Sequence, residues 1–260
     1  MASDYDLEFT NSLLGRIYRN IVWERMDILF TGKRNILELG CGTGEDTLYM
    51  VRHGHRVTAI DASEVMIKQA RIKIERAGFQ DQVEFRVMDI EKMNLSDFSL
   101  ELNGSKKILI FDGIIANFGV LNCVDDITAV AVDLHKCLAA GSPALFSIMG
   151  PAVPWEWLWY LLKGQPTKGF RRLRKKGVYW RGITVRYPGI RKTRRSLAPY
   201  FRTVRTSALG CFLPPSYAEN WAKKHPAMIN VLHRLEQRCA SFQLAAQLAD
   251  HYIMEMEHVS

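Results

Sequence analysis

Residues 36 to 45, ILELGCGTGE, run from an apolar, β-rich segment into three glycines separated by single residues. No other stretch constrains the fold as much. Gly40, Gly42 and Gly44 permit positive φ and remove Cβ atoms where a strand gives way to a turn. The stretch also opens an alternation. NILELG (35–40), RVTAID (56–61), VEFRVMD (83–89), KKILIFDGIIAN (106–117) and PALFSIMG (143–150) read as strands. EDTLYMVRHG (45–54), SEVMIKQARIKIERAG (63–78) and DDITAVAVDLHKCLAAG (125–141) read as helices, the second capped by Ser63 and ended by Gly78. This rhythm predicts an α/β fold, a doubly wound, mostly parallel sheet covered on both faces. An amphipathic helix over about residues 10–30 precedes it.

After residue 150 the rhythm stops. PWEWLWYLL (154–162) reads as a short helix with Trp155, Leu158, Trp159 and Leu162 on one face, and a basic stretch over 163–205 follows. ALGCFLPP (208–215) and HYIMEMEHV (251–259) read as late strands flanking helices at about 216–240 that break at Pro226. The expected division is an N-terminal helix and ligand-binding core over 1–150, an inserted acceptor-side segment over 151–205, and strands and helices over 206–260 that complete the same sheet.

With 48% apolar and 24% charged residues among 260, the chain is neither disordered nor a rod. Its start, MASDYDLEF, is acidic and lacks the pattern of a secretory signal, so a cytoplasmic location is expected. Nineteen uncharged residues lie between Lys136 and Glu156, but Gly141, Pro143, Gly150, Pro151 and Pro154 interrupt them too often for a membrane helix. The five cysteines are scattered without CxxC or CxxH pairing and indicate neither a disulfide framework nor a zinc site.

In a doubly wound sheet, ligands bind beyond the carboxyl ends of the strands. A dinucleotide fingerprint G-x-G-x-x-G needs glycine at position 45, where Glu45 stands, and a Walker loop is absent. Glu38 at the strand end repels a pyrophosphate and attracts a ligand carrying an amino group and a sulfonium. Asp61 closes the next strand and suits a ribose diol; Asp89 ends the third, where it can accept from an adenine amine while Ile90 and Met66 pack on the ring.

ELGCGTG, AIDAS, VMDI, FDGIIANFGVLN and LHKCLAAGSPALFSIM, in that order, resemble the class I, seven-stranded S-adenosylmethionine-dependent methyltransferases over about residues 30–150. The resemblance implies a sheet of order 3-2-1-4-5-7-6 with strand 7 antiparallel, and S-adenosylmethionine as cofactor. It implies that Glu38, Gly40, Gly42 and Gly44, with Cys41 between them, hold the methionine portion, and that Asp61, followed by Ala62, holds the ribose. Asp89, Ile90 and Met66 fall to the adenine, and Asn117 to Gly119, including Phe118, to the floor near the methyl group. LAAGSP replaces the family's usual Lys-Pro-Gly-Gly turn, a departure in the connection and not in the cofactor site.

Methyl transfer from a sulfonium is an in-line displacement that requires no metal, and strand 5, ending FSIMGPA, offers no metal ligand. His251, beside Asp250 at the start of the last strand, is the candidate base, and Asn117 is a candidate for orienting an acceptor amine. Many enzymes of this class use positioning alone.

Charge points to the acceptor. Residues 1–150 carry 16 Lys/Arg against 21 Asp/Glu, net −5, whereas residues 151–260 carry 19 against 6, net +13. The stretch 163–205 holds fifteen Lys/Arg and no Asp or Glu, with aromatic residues interleaved. Preceded by PWEWLWYLL, it resembles a lid suited to a small or lipid-like, anionic acceptor, or to peripheral contact of 155–205 with an anionic membrane. An RNA methyltransferase is the first alternative, disfavoured because no RNA-binding module is recognisable and ANFG replaces the NPPY-type signature. A non-catalytic cofactor-binding protein is the second. Nothing in the sequence fixes the oligomeric state.

Overall fold

The computed structural model describes residues 12–94, 98–102, 105–180 and 182–259. The acidic start MASDYDLEF and Arg181 of the basic stretch lie outside them. Alternation along the first strand, β1 (Asn35–Leu39), sets the architecture: Ile36 belongs to one apolar core, Leu37 and Leu39 to the other. One core is covered by α1 (Leu13–Leu29), α2 (Glu45–Arg52) and α3 (Glu64–Ala77), the other by α4 (Ile127–Lys136) and later helices. On α1, Ser12 caps the first turn by accepting from Gly15 N at 2.9 Å. Burial of Leu14, Val22 and Met26 along one stripe then contributes roughly 1.5–3 kcal/mol per side chain.

β1 pairs in parallel with β2 (Arg56–Asp61) on one side and β6 (Gly113–Ala116) on the other; β3 (Val83–Val87) extends β2 and β7 (Pro143–Met149) extends β6. β11 (His251–His258) then runs antiparallel to both β7 and β10 (Phe201–Leu209). The spatial order β3-β2-β1-β6-β7-β11-β10 is, counted over sheet strands alone, the expected 3-2-1-4-5-7-6 with the last strand antiparallel. Two hairpins stand outside the sheet: β4 (Ser99–Leu102) with β5 (Ser105–Ile108), and β8 (Val178–Trp180) with β9 (Ile183–Val185). Between β7 and β10 lie α5 (Pro154–Leu162), α6 (Pro166–Gly169) and α7 (Ile190–Leu197); α8 (Glu219–Lys224), α9 (Pro226–Cys239) and α10 (Gln243–Gln247) lead to β11.

β3 ends at Val87, two residues before Asp89, the expected strand end, which instead caps the turn that follows; three larger boundary differences have their cause in the fold. KKILIFDGIIAN is not one strand, because its first half pairs in the β4–β5 hairpin. Asp112 then accepts from the N–H groups of Arg34 and Asn35 at 3.0 Å each, so the chain enters the sheet only at Gly113, where a Cβ would meet the Phe30 ring at 2.7 Å. The sixth sheet strand lies at 201–209, not 208–215. From Gly210 to Leu213 the N–H groups turn away from any ladder to the buried carboxylate of Glu236, at 2.8, 3.2, 2.7 and 3.3 Å. That strand therefore takes in the last residues of the expected insertion. Third, α4 stops at Lys136 because the chain turns to form a bridge between Leu138 and Phe111.

Among the described residues no helix is long and apolar enough to cross a membrane, and the uncharged run before Glu156 divides into β7 and the start of α5.

Candidate active site

All parallel strands deliver their carboxyl ends to one edge, and the antiparallel β11 begins there: His251 is paired with Met149 and with Leu209. The glycine loop leaves β1 at this edge with Gly40, Gly42 and Gly44 at φ of 63°, 54° and 80°. The three glycines serve different ends. A Cβ on Gly40 would lie 2.4 Å from Val120, and one on Gly44 2.9 Å from Ala70, so these two permit close packing. A Cβ on Gly42 would meet nothing within 4 Å; its face is open. Cys41 N donates to Ile60 O at 3.0 Å and ties the loop to β2.

Asp61 grips the loop from the end of β2. Its Oδ2 accepts from Gly42 N at 2.9 Å and its Oδ1 from Ser63 N at 2.8 Å, which leaves each oxygen a further lone pair. Burial raises its carboxyl above the usual range, against these two N–H donors. Ala62 is exposed and Met66 half-buried on the first turn of α3. Asp89 lies two residues beyond β3 and caps a short turn by accepting from Glu91 N at 3.1 Å, while Ile90 packs against the core.

Glu38 is buried and accepts from the Thr47 hydroxyl. Burial, reinforced by the nearby Asp46, pushes its carboxyl well above the ordinary range. Asp46 is the hub that the sequence reading missed: it accepts from Arg19 Nη1 at 2.6 Å, Trp23 Nε1 at 2.8 Å and Asn117 Nδ2 at 2.9 Å. Arg19 and Trp23 stand four residues apart on α1, a spacing that puts two side chains on a shared face, but nothing local in the sequence marks their common partner. Arg19, Glu38, Gly40, Cys41, Gly42, Asp46, Asn117 and Phe118 line one cleft.

Two observations show what fits this cleft. Asn117 Oδ1 is buried with no donor, although its amide nitrogen is held by Asp46. Glu38 is buried with a hydroxyl for a partner and no cation within ion-pair distance among the described residues. A ligand that brings N–H donors and positive charge satisfies both, and a phosphate satisfies neither. Asn117, expected to orient an acceptor amine through its carbonyl, thus faces the same cleft as Glu38.

Phe118 has φ of 53°, the only positive value at a non-glycine among the described residues, and such strain concentrates at functional sites. Its ring lies under the Arg19 guanidinium at 4.8 Å and 6.0 Å from the His251 ring, which also meets the Tyr18 ring edge-on at 6.3 Å. His251 Nδ1 is 3.1 Å from Asp250 Oδ2, and Arg172 reaches the other oxygen of Asp250 at 2.5 Å. Burial pushes Asp250 up, but Arg172 and then His251 overcome it and hold the carboxyl below the ordinary range. Arg172 is in turn 2.7 Å from Glu156 of α5. Sequence adjacency gave the Asp250–His251 pair; the contribution of Arg172 and Glu156 joins segments too distant in the chain to be read locally.

Residues 36–141 match the family described as "Methyltransferase domain". The demethylmenaquinone methyltransferase of Leptospira interrogans is 26% identical over 178 residues, which span 65% of this chain and 67% of that one. An S-adenosylmethionine-dependent methyltransferase from Mesorhizobium loti shares the fold with a TM-score of 0.57 at 17% identity, covering 92% of this chain and 97% of that one. An N-methyltransferase from Bradyrhizobium japonicum, solved in complex with S-adenosyl-L-homocysteine, gives 0.55 at 15% identity, covering 96% and 90%.

Proposed function

We propose that this chain, which belongs to the class I, seven-stranded S-adenosylmethionine-dependent methyltransferases, transfers the methyl group to oxygen or nitrogen of a small, anionic or lipid-like metabolite. The observation that carries the reading is the cleft at the end of β1, lined together by buried Glu38, by Asn117 with its undonated Oδ1, and by Gly42, where a Cβ would meet no protein atom. Glu38 and Asn117 accept from the ammonium of the cofactor's methionine part. The spare lone pairs of Asp61 take the ribose hydroxyls, and Asp89, Ile90 and Met66 take the adenine. Gly40, Cys41, Gly44 and Ala62 shape the walls.

The cofactor supplies an electrophilic methyl carbon on a sulfonium. The chain's own part is to aim a nucleophile at it, remove the nucleophile's proton and keep water out. His251 receives that proton. Its Nδ1 side faces ionised Asp250, which stabilises the imidazolium formed and leaves Nε2 as the accepting atom. Phe118, fixed between Arg19 and His251, presents an apolar wall where water would otherwise compete. Residues 151–205 cover the acceptor side, with Trp155 anchored to Phe212 O at 2.9 Å and the cationic stretch supplying charge for an anionic group. The name of the Leptospira relative, whose substrate is a demethylmenaquinone, supports a lipid-like acceptor.

The test incubates purified protein and isotopically labelled S-adenosylmethionine with lipid, water-soluble and RNA fractions of a cell extract. Label entering a lipid or small molecule, lost in His251→Gln, is the expected result. Label entering RNA, with steep loss on adding salt, overturns the acceptor class. Transfer to no fraction overturns catalysis.

A further inference from the structure

Helix α5 is turned inside out. Its one acidic residue, Glu156, is fully buried and lies 2.7 Å from both Arg171 and Arg172, whereas Leu158, Leu161 and Leu162 are 52%, 51% and 79% exposed. A helix that merely capped the sheet would point these leucines inward. The apolar surface continues onto the next segment, because Trp157 packs on Phe170 with ring centres 5.6 Å apart, and Phe170 and Leu173 are themselves exposed. Around it stands charge of one sign. Residues 157–205 contain no Asp or Glu, and Lys163, Lys168, Arg174, Lys175 and Lys176 have no acidic partner among the described residues. Lys163 Nζ lies 4.5 Å over the Trp159 ring, an amphipathic pair of the kind that occupies a membrane–water boundary.

We propose that α5 and residues 163–176 dock the chain onto the surface of an anionic lipid bilayer, with the leucines in the headgroup–acyl boundary and the lysines and Arg174 on lipid phosphates. The exposed aliphatic side chains decide for lipid over nucleic acid, since leucine neither stacks on bases nor neutralises phosphates. Unbroken positive charge decides for an anionic surface. The buried Glu156–Arg172 pair explains how the helix holds this orientation: it is fastened by charge on its inner face, so its apolar residues are free to face outward. Docking by this face does not depend on which molecule is methylated.

The experiment co-sediments the full chain with vesicles of phosphatidylcholine alone and of phosphatidylcholine doped with phosphatidylglycerol, at low and at physiological salt. Binding to the doped vesicles, weakened by salt, is expected. The combined Leu158→Ser, Leu161→Ser and Leu162→Ser variant should bind about tenfold more weakly or worse, with unchanged thermal unfolding and unchanged affinity for S-adenosylmethionine. If that variant loses thermal stability, the combined Arg174→Gln, Lys175→Gln and Lys176→Gln variant decides, and its undiminished binding overturns the proposal. So do absence of binding to doped vesicles at low salt, full binding by a stable leucine variant, or preferential capture of a random-sequence RNA that the leucine changes leave intact.

Discussion

The two sides of the candidate site treat buried charge in opposite ways. At the end of β1, the carboxyl of Glu38 is withdrawn from water with the Thr47 hydroxyl as its hydrogen-bond partner and Arg19, paired to Asp46, acting on it only from beyond ion-pair distance, and Asn117 Oδ1 has no donor. At the base of α5, the guanidinium of Arg172 is equally withdrawn but has Glu156, Asp250 and the carbonyl oxygens of Gly150 and Asp250 around it. The first arrangement costs stability that a cationic ligand recovers; the second is complete within the chain and serves as a joint. Burial alone therefore does not mark a ligand site. The unmatched sign does.

The sharpest way to break this contrast is Arg172→Met, which leaves buried Glu156 with Arg171 alone and buried Asp250 with His251 alone and should cost about 3 kcal/mol in urea unfolding, against about 0.5 kcal/mol or less for the exposed Arg174→Met. Equal losses would show that the joint is no joint. The same network has a pH signature. Because Asp250 is held below its ordinary range when folded, the stability it gives is complete above its unfolded value of about 4 and disappears as pH falls toward the folded value. Next in size is His251→Gln, expected to lower kcat by about a hundredfold or more while S-adenosylmethionine affinity, read by calorimetry, stays put.

On the cofactor side, Gly42→Ala separates ligand space from packing. The new methyl group meets no protein atom, so only backbone strain of about 1–2 kcal/mol should register in unfolding, yet cofactor affinity should collapse. Retained affinity would place the ligand elsewhere. The smallest effect concerns a proton. Glu38 is raised by burial and by Asp46, so between the ordinary carboxylate range and its raised value it is protonated in the free protein, and a bound cation expels that proton. Affinity should rise with pH through this window. Calorimetry in buffers of different ionisation enthalpy should detect release of up to about one proton, absent in Glu38→Gln. No buffer dependence in the wild type would remove Glu38 from the cation's contacts.

The core was legible because its strands are apolar runs punctuated by glycines, and because Ser63 and Gly78 mark the ends of α3 as their chemistry requires. β10 was misplaced for a physical reason. As an edge strand it carries Arg202, Arg205 and the exposed Val204 on its open face, so FRTVRTSAL merges into the basic stretch before it. KKILIF misled in the other direction, because a hairpin strand and a sheet strand share one apolar composition. In the site, Glu38, Asp61 and the glycines were readable as local chemistry at strand ends. Asp46, Arg19 and Trp23 were not, since a carboxylate in EDTL looks like an ordinary helix start until α1 is laid across it. The orientation of α5 was equally hidden, because the partners that draw Glu156 inward stand beyond the helix at 171 and 172.

The position of β11 between β7 and β10 bears on how the protein is made. β7 is apolar along most of its length, and its outer edge stays without a partner until the ribosome has delivered about a hundred further residues, which takes roughly 5–20 s at ordinary rates of translation. During that interval β10 has already emerged but has nothing to pair with. An uncovered hydrophobic strand edge invites pairing with neighbouring nascent chains, so the yield of this enzyme should depend on chaperone supply and synthesis speed more than its finished stability would suggest.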